Sequence, residues 1–143
     1  MKNLILITLA VVLFAACKKE SSPAKTTDDN KTLIIGRWYF TQDTVKQYKN
    51  GILVYYSTTG GLDIGTAYEQ FNADGTYTDF FNGKASTSPY SLEGNTLTLT
   101  QSNGTESGQI KTLSSTKLVI FYDDNFVDGN TTSRTTEVAY LSK

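Results

Sequence analysis

Pairs of turn-forming residues interrupt the chain at intervals of about ten residues. Each pair contains Gly, Asn, Asp or Ser, residues that supply the backbone conformations of tight hairpin turns. The pairs are Asn50-Gly51, Gly60-Gly61, Asp74-Gly75, Asn82-Gly83, Gly94-Asn95, Asn103-Gly104, Ser114-Ser115 and Gly129-Asn130. A chain interrupted this often has room only for short strands between its turns, so the spacing predicts a meander of antiparallel strands.

The segments between the turns are rich in residues that favour strands. Trp38, all nine Tyr and every Phe except Phe14 follow Leu33, mixed with Thr, Val and Ile, and such residues fit a pleated, half-buried surface. The predicted strands cover residues 36–48, 52–58, 66–72, 76–81, 85–92, 96–101, 108–112, 117–123 and 133–141. No segment keeps apolar residues at helical spacing for three turns, so no helix is expected.

An open sheet of this many strands would leave unpaired edges, whereas closure removes them. We therefore predict an all-β fold, a small antiparallel up-and-down barrel of eight to nine strands, with a two-sheet sandwich as the alternative. A barrel of this size is either filled by its own side chains or holds one small ligand, which should then be apolar. The candidate inward-facing, ligand-binding residues are Trp38, Phe40, Phe71, Tyr77, Leu97, Leu99, Leu118, Ile120, Val138 and Tyr140.

The N-terminus has the pattern of a signal peptide. Lys2 precedes an apolar run over residues 4–16 that is too short to span a bilayer. The stretch Leu13-Phe14-Ala15-Ala16-Cys17 resembles a bacterial lipobox, in which the Cys thiol carries a diacylglyceryl group. The resemblance implies a signal peptide over residues 1–16 and a lipid-anchored Cys17. An ordinary secreted signal cleaved after Ala16 is the alternative.

The residues after Cys17 predict a tether. Residues 18–32 contain no aromatic and no large aliphatic side chain, so we expect a lipidated flexible tether over residues 17–32 and a folded domain over 33–143. Lys18 resembles the residue that follows the Cys in lipoproteins passed to the outer membrane of Gram-negative bacteria. That places the protein in the cell envelope, with its periplasmic or surface-exposed face left open.

Composition excludes several function classes. The chain has no His and one Cys, so it cannot form a Ser-His-Asp or Cys-His pair, a His-containing zinc site or an intramolecular disulfide. A formal net charge of −1 argues against binding nucleic acid, which requires a basic surface. We expect no cofactor.

Two groups of acidic residues are weak candidates for chemistry. Residues 123–130 could hold Ca²⁺ in an irregular site, but the spacing fails the EF-hand pattern and a hairpin turn explains it better, so no metal is expected. Glu69 and Asp79 could form a glycosidase pair, although a position on the outer face of their strands explains them equally well. No motif supplies a nucleophile with its base, so we expect no catalysis.

Several motifs resemble lipocalins. Gly36-Arg37-Trp38 is similar to the Gly-x-Trp opening of that family, and the segments FNADGTY (71–77), YSLEGNTLTL (90–99) and LSSTKLVI (113–120) look like short lipocalin-like lipoproteins. The resemblance implies that Trp38 caps the closed end of a barrel. In lipocalins an Arg of the last strand packs over that Trp, and Arg134 is the only Arg apart from Arg37.

The leading hypothesis is a membrane-anchored, non-catalytic lipocalin-like binding protein for a small hydrophobic ligand. The alternative is an interaction or inhibitor protein with a filled barrel that binds a protein partner through its loops. Counting strands places the segments 58–65, 82–83, 102–106 and 124–132 at one end of the meander, beside Gly36. The lipocalin pattern puts the open mouth at the other end, so the sequence leaves the position of the mouth undecided.

Overall fold

The computed structural model describes residues 27–60, 66–102 and 104–143. The predicted signal peptide, the lipidation site at Cys17 and residues 18–26 of the predicted tether lie outside these ranges and stay predictions. Within the described residues, no helix combines the length and the apolar character needed to cross a membrane.

One helix precedes nine strands. The elements are α1 (Thr27–Ile34), β1 (Gly36–Lys49), β2 (Ile52–Gly60), β3 (Tyr68–Phe71), β4 (Thr76–Phe81), β5 (Lys84–Glu93), β6 (Thr96–Gln101), β7 (Gly104–Leu113), β8 (Lys117–Asp128) and β9 (Thr131–Ser142). The all-β prediction is confirmed. Residues 104–106 and most of 124–132, which were expected in loops, belong instead to β7, β8 and β9.

The strands form one closed sheet. Each strand from β3 to β8 pairs with the next one along the chain, and β1 pairs with both β3 and β9. These pairings close a barrel of eight strands, β1 and β3–β9. β2 is a ninth strand that pairs with β1 only, beside residues 42–49. The barrel is therefore confirmed over the sandwich.

β2 and β3 lie along the same side of β1 and run in the same direction. Residues 36–39 of β1 pair with β3, and residues 42–49 pair with β2. The chain thus passes from β2 to β3 without reversing, so β2 and β3 together occupy one barrel position. If β2 and β3 are instead counted as strands joined by a reversal of direction, every later turn is placed at the wrong end of the barrel.

The strand directions determine which turns share an end of the barrel. Gly36 pairs with Phe71, so the turns at 72–75, 94–95 and 114–116 lie at the Trp38 end. The turns at 50–51, 82–83 and 129–130 lie at the opposite end. The expectation that the segments 82–83, 102–106 and 124–132 lie beside Gly36 is wrong, because the described residues of these segments lie at the opposite end. That end is where the resemblance to lipocalins puts the mouth.

The helix α1 lies at the Trp38 end of the barrel, which corrects the expectations of no helix and of a tether through residue 32. Ile34 is fully buried in the core. The side-chain amide of Asn30 donates to the Gly94 carbonyl at 3.3 Å and to Asn95 Oδ1 at 3.0 Å. Two helical turns are too short to show an apolar period, so contacts with distant residues stabilise this helix.

Trp38 closes the same end. Its indole Nε1 donates to the Ile34 carbonyl at 2.6 Å, and its side chain is fully buried. The Lys143 ammonium lies 4.3 Å from the centre of the indole ring and donates to the carbonyls of Leu33 and Ile35. Lys143 therefore occupies the position over the Trp38 ring that the resemblance to lipocalins assigns to an Arg. Arg134 instead pairs with Asp123 on the barrel exterior.

The part of the barrel next to the Trp38 end, here called the lower part, is filled by side chains. The apolar core is built mainly on strand alternation and contains Ile34, Trp38, Phe71, Tyr77, Leu92, Leu97, Leu99, Ile110, Leu118, Ile120, Tyr122, Ala139 and Leu141. Val138 and Tyr140 were expected to face inward, but Ala139 and Leu141 hold that face of β9. Because residues 138–141 are all apolar, alternation cannot assign a face there.

Candidate functional site

A cavity of about 170 Å³ lies inside the barrel above this core. Seven of the eight barrel strands contribute to its lining, so it is the upper part of the barrel interior. Its apolar lining consists of Phe40, Tyr77, Leu99, Tyr122 and Ala139. A cavity of about 150 Å³ is large enough to hold benzene, so this one fits a small organic molecule.

Gly108 positions one aromatic wall of the cavity. It pairs with Tyr122 across β7 and β8, and a Cβ at residue 108 would lie 2.6 Å from both the Tyr122 ring and the Ile120 side chain. Only glycine leaves this space, so the Tyr122 ring lies directly over the β7 backbone. The ring is thereby fixed beside the cavity.

The other five lining residues are polar, and four of them are acidic. They are Glu69, Asp79, Gln101, Glu106 and Glu137. Glu69 pairs directly with Trp38 on one neighbouring strand and with Asp79 on the other, so all three share the inner face of the sheet. The interpretation of Glu69 and Asp79 as outer-face residues is therefore wrong.

Glu69 is the most deeply placed of these carboxyl groups. Its side chain is 8% exposed, and within the described part of the chain its Oε2 atom is buried without a hydrogen-bond partner. Burial, followed by the charges of Asp79, Glu106 and Glu137, raises the pKa of Glu69 to about 8. A buried carboxyl with a free oxygen is costly for a fold unless something pairs with it.

The pKa values of the neighbouring carboxyl groups are raised as well. Burial, then the charges of Asp43, Glu106 and Asp124, raises the pKa of Glu137 to about 7. Burial also raises the pKa of Asp79 and of Glu106, the latter with a contribution from Asp124. The causes of these shifts are burial and negative charge, and no cation among the described residues offsets them.

The acidic cavity is not built like a metal site. Among residues 27–60, 66–102 and 104–143, no group of three or more acidic, Cys or His side chains converges closely enough to hold a metal ion. The acidic segment 123–130 forms the end of β8 and a turn at Gly129-Asn130, where both Asp123 carboxylate oxygens accept hydrogen bonds from Arg134 at 2.7 Å. The hairpin interpretation of that segment is confirmed.

The candidate ligand-binding residues divide into three groups. Phe40, Tyr77 and Leu99 line the cavity. Trp38, Phe71, Leu97, Leu118 and Ile120 fill the core below it, and Val138 and Tyr140 lie outside the core. Sequence reasoning missed Tyr122 and the part of the polar wall beyond Glu69 and Asp79, which it considered only as a catalytic pair. The positions of Glu69 two residues before Phe71, and of Asp79 two residues after Tyr77, carried the signal that both carboxyls face inward.

Comparison with known proteins gives a family match. A family model described as a lipocalin-like domain matches residues 34–120. Among solved structures, the chain is similar to the bovine lipocalin allergen Bos d 2, with 18% sequence identity over 80% of this chain and 75% of that one and a TM-score of 0.44. No curated protein matches the sequence.

Proposed function

The chain belongs to the lipocalin-like family, and from this premise we propose that it is a non-catalytic binding protein that carries a small hydrophobic molecule in the upper barrel. The lipocalin-like barrel itself suggests a binding module for ligands of this class. The observation that supports the proposal most directly is the cavity of about 170 Å³, whose apolar side is formed by Phe40, Tyr77, Leu99, Tyr122 and Ala139.

Binding rather than catalysis agrees with the arrangement of the carboxyl groups. Proteins of the lipocalin family and fold are typically non-catalytic. Glu69 and Asp79 are direct neighbours across β3 and β4, and the pKa of each is raised mainly by burial. A glycosidase of the usual kind places its two carboxyl groups on either side of the scissile bond, whereas Glu69 and Asp79 project side by side from adjacent strands of one wall.

A substitution that fills the cavity should abolish binding. Leu99 is buried and lines the cavity, so Leu99→Trp places an indole in the space that a ligand would occupy. We expect Leu99→Trp to bind phenethyl alcohol at least about tenfold more weakly than the wild type, because the apolar contact area is lost. Titration calorimetry with phenethyl alcohol measures this affinity. The matched control is Tyr140→Trp on the outside of the core, and equal binding by both variants would contradict an interior site.

We also propose that the protein is a lipoprotein of the outer membrane. The support is the sequence alone: the apolar run over residues 4–16, the lipobox-like stretch and Cys17 directly after it. Cys17→Ser removes the thiol that would carry the lipid, so we expect the protein to move from the membrane fraction to the soluble fraction, as measured by fractionation and immunoblotting. Continued membrane attachment of the variant would contradict lipidation.

A protein partner is the second candidate function, and an exposed apolar surface favours it. β8 pairs with β7 only as far as Tyr122 and with β9 alone beyond it, so β2-β1-β9-β8 continue past the barrel as a projecting sheet. This sheet exposes Ile52, Leu53, Val54, Tyr55, Tyr56, Phe126 and Val127. Exposed apolar patches of this kind often mark interaction sites.

The partner hypothesis has its own test. The double variant Phe126→Ser and Val127→Ser removes two apolar side chains that are each 66% exposed, so the fold should survive. We expect a specific partner, identified by mass spectrometry after pull-down from envelope extracts, to be lost with this variant and kept with Phe81→Ser, an exposed position outside the projecting sheet. Equal recovery with both variants would remove this surface from consideration.

A further inference from the structure

We propose that the ligand of the barrel is a small organic cation, an amine with an apolar or aromatic body, whose ammonium group pairs with Glu69 and its neighbouring carboxylates. This inference rests on the proposed function, namely that the upper cavity holds a small molecule. It adds the charge of that molecule, which neither the family nor the sequence motifs specify.

All ionisable acidic and basic side chains that line the cavity are acidic. Carboxyl groups line it on β3, β4, β7 and β9, namely Glu69, Asp79, Glu106 and Glu137, and no Lys or Arg is among its lining residues. Asp43 and Asp124 add negative potential at Glu137. Like charges gathered in one poorly solvated space repel each other strongly, and a bound cation relieves that repulsion.

One carboxyl oxygen of Glu69 lacks a partner among the described residues. Within the described residues, its Oε2 is buried and has no hydrogen-bond partner, and its side chain lines the cavity. Buried polar groups in folded proteins are nearly always paired, and an exception calls for an explanation. An ammonium donor in the cavity supplies the missing partner through a charge-assisted hydrogen bond.

The cavity suits an organic cation better than a metal ion. The described carboxylates do not converge in the way that metal ligands do, so the cavity lacks the close oxygen cage that Ca²⁺ requires. Half of the lining residues are apolar or aromatic, and Phe40, Tyr77 and Tyr122 contribute aromatic rings. Rings beside carboxylates suit an amine that carries an apolar body, since the rings bind both the cation and the hydrocarbon.

The proton balance of binding follows from the same geometry. Glu69 has a pKa of about 8 in the protein alone, so it is largely protonated at neutral pH, and an ammonium partner favours its ionised form. Binding should therefore release protons to the buffer and strengthen as the pH rises towards about 8.5, below the range in which an aliphatic amine loses its own proton. The titratable groups that face Glu69 or act on it and its neighbours are Asp43, Tyr77, Asp79, Glu106, Tyr122, Asp124 and Glu137.

The test compares three probes of nearly equal size: phenethylamine, phenethyl alcohol and phenylacetate. Titration calorimetry with the full chain in detergent, in two buffers of different ionisation enthalpy, measures both affinity and proton release. We expect phenethylamine to bind at least about tenfold more tightly than the alcohol and to release protons, and we expect phenylacetate not to bind. Glu69→Gln and, separately, Glu106→Gln should weaken amine binding more than alcohol binding and so reduce the preference for the amine, whereas the exposed control Glu93→Gln should keep the wild-type preference.

The outcomes separate this inference from the proposed function. Equal binding of amine and alcohol, or tighter binding of the alcohol, would overturn the cation and leave a binding protein for neutral molecules. Amine binding that survives both Glu69→Gln and Glu106→Gln, in variants with unchanged circular dichroism, would also overturn it. Failure of all three probes to bind would contradict the small-molecule function and the cation together.

Discussion

Trp38→Ala is expected to lower the free energy of unfolding by about 3–5 kcal/mol, the range for removing a buried Trp from a core. The side chain is fully buried where α1 closes the barrel. Its Nε1 donates to the Ile34 carbonyl at 2.6 Å, and Lys143 lies over its ring. The substitution therefore opens a large void and also removes the hydrogen bond that ties α1 to β1.

Urea unfolding followed by circular dichroism measures this effect without relying on tryptophan fluorescence. The matched control is Tyr39→Ala, an aromatic truncation at the next residue, where the side chain is 43% exposed. We expect the control to cost less than about 1.5 kcal/mol. A Trp38→Ala variant that is as stable as the control would contradict the role of Trp38 in closing the barrel.

Glu69→Gln is expected to stabilise the protein at pH values near 8 and above, by about 2–4 kcal/mol. The pKa of Glu69 rises from 4.5 to about 8 on folding, mainly because of burial. The folded state therefore holds a proton that the unfolded state has released, so wild-type stability should fall as the pH rises from about 5 to about 8. Gln has no proton to lose, so the variant should lose less stability over the same range, although Glu137 still contributes.

Urea midpoints measured between about pH 5 and pH 9 test this prediction, because the carboxyls with lowered pKa values are already ionised in that range. Glu93→Gln, at an exposed position, is the control and should follow the wild type. A wild-type stability that rises over the same range, or a Glu69→Gln variant that is less stable at pH 8, would show that Glu69 is not a buried and unpaired acid.

The sequence predicts the strands well because turn chemistry and alternation act locally. Asp74-Gly75 and Gly94-Asn95 each fix a reversal, and Leu97 and Leu99 alternate with Thr on a half-buried strand, as the structure confirms. Local patterns do not show whether two successive strands run in the same direction or in opposite directions. Because β2 and β3 run in the same direction, the strand count assigns the later turns to the wrong ends of the barrel.

The candidate site was harder to predict than the fold for two physical reasons. The run Val138-Ala139-Tyr140-Leu141 is apolar on both faces, so register with β1 and β8, and not residue type, decides that Ala139 and Leu141 face inward. Carboxylates such as Glu69 are expected in solvent, because burying them is costly. Only the closed barrel brings acidic residues from four strands around one cavity.

The most direct test of an occupied barrel is native mass spectrometry of the protein purified gently from its own host. We predict one reproducible added mass on the wild-type protein, lost on denaturation, absent from Leu99→Trp and reduced in Glu69→Gln. Its composition should include a basic nitrogen. Identical, ligand-free masses for the wild type and Leu99→Trp, together with failure of all three phenethyl-type probes to bind, would contradict the central claim that the upper barrel carries a small molecule.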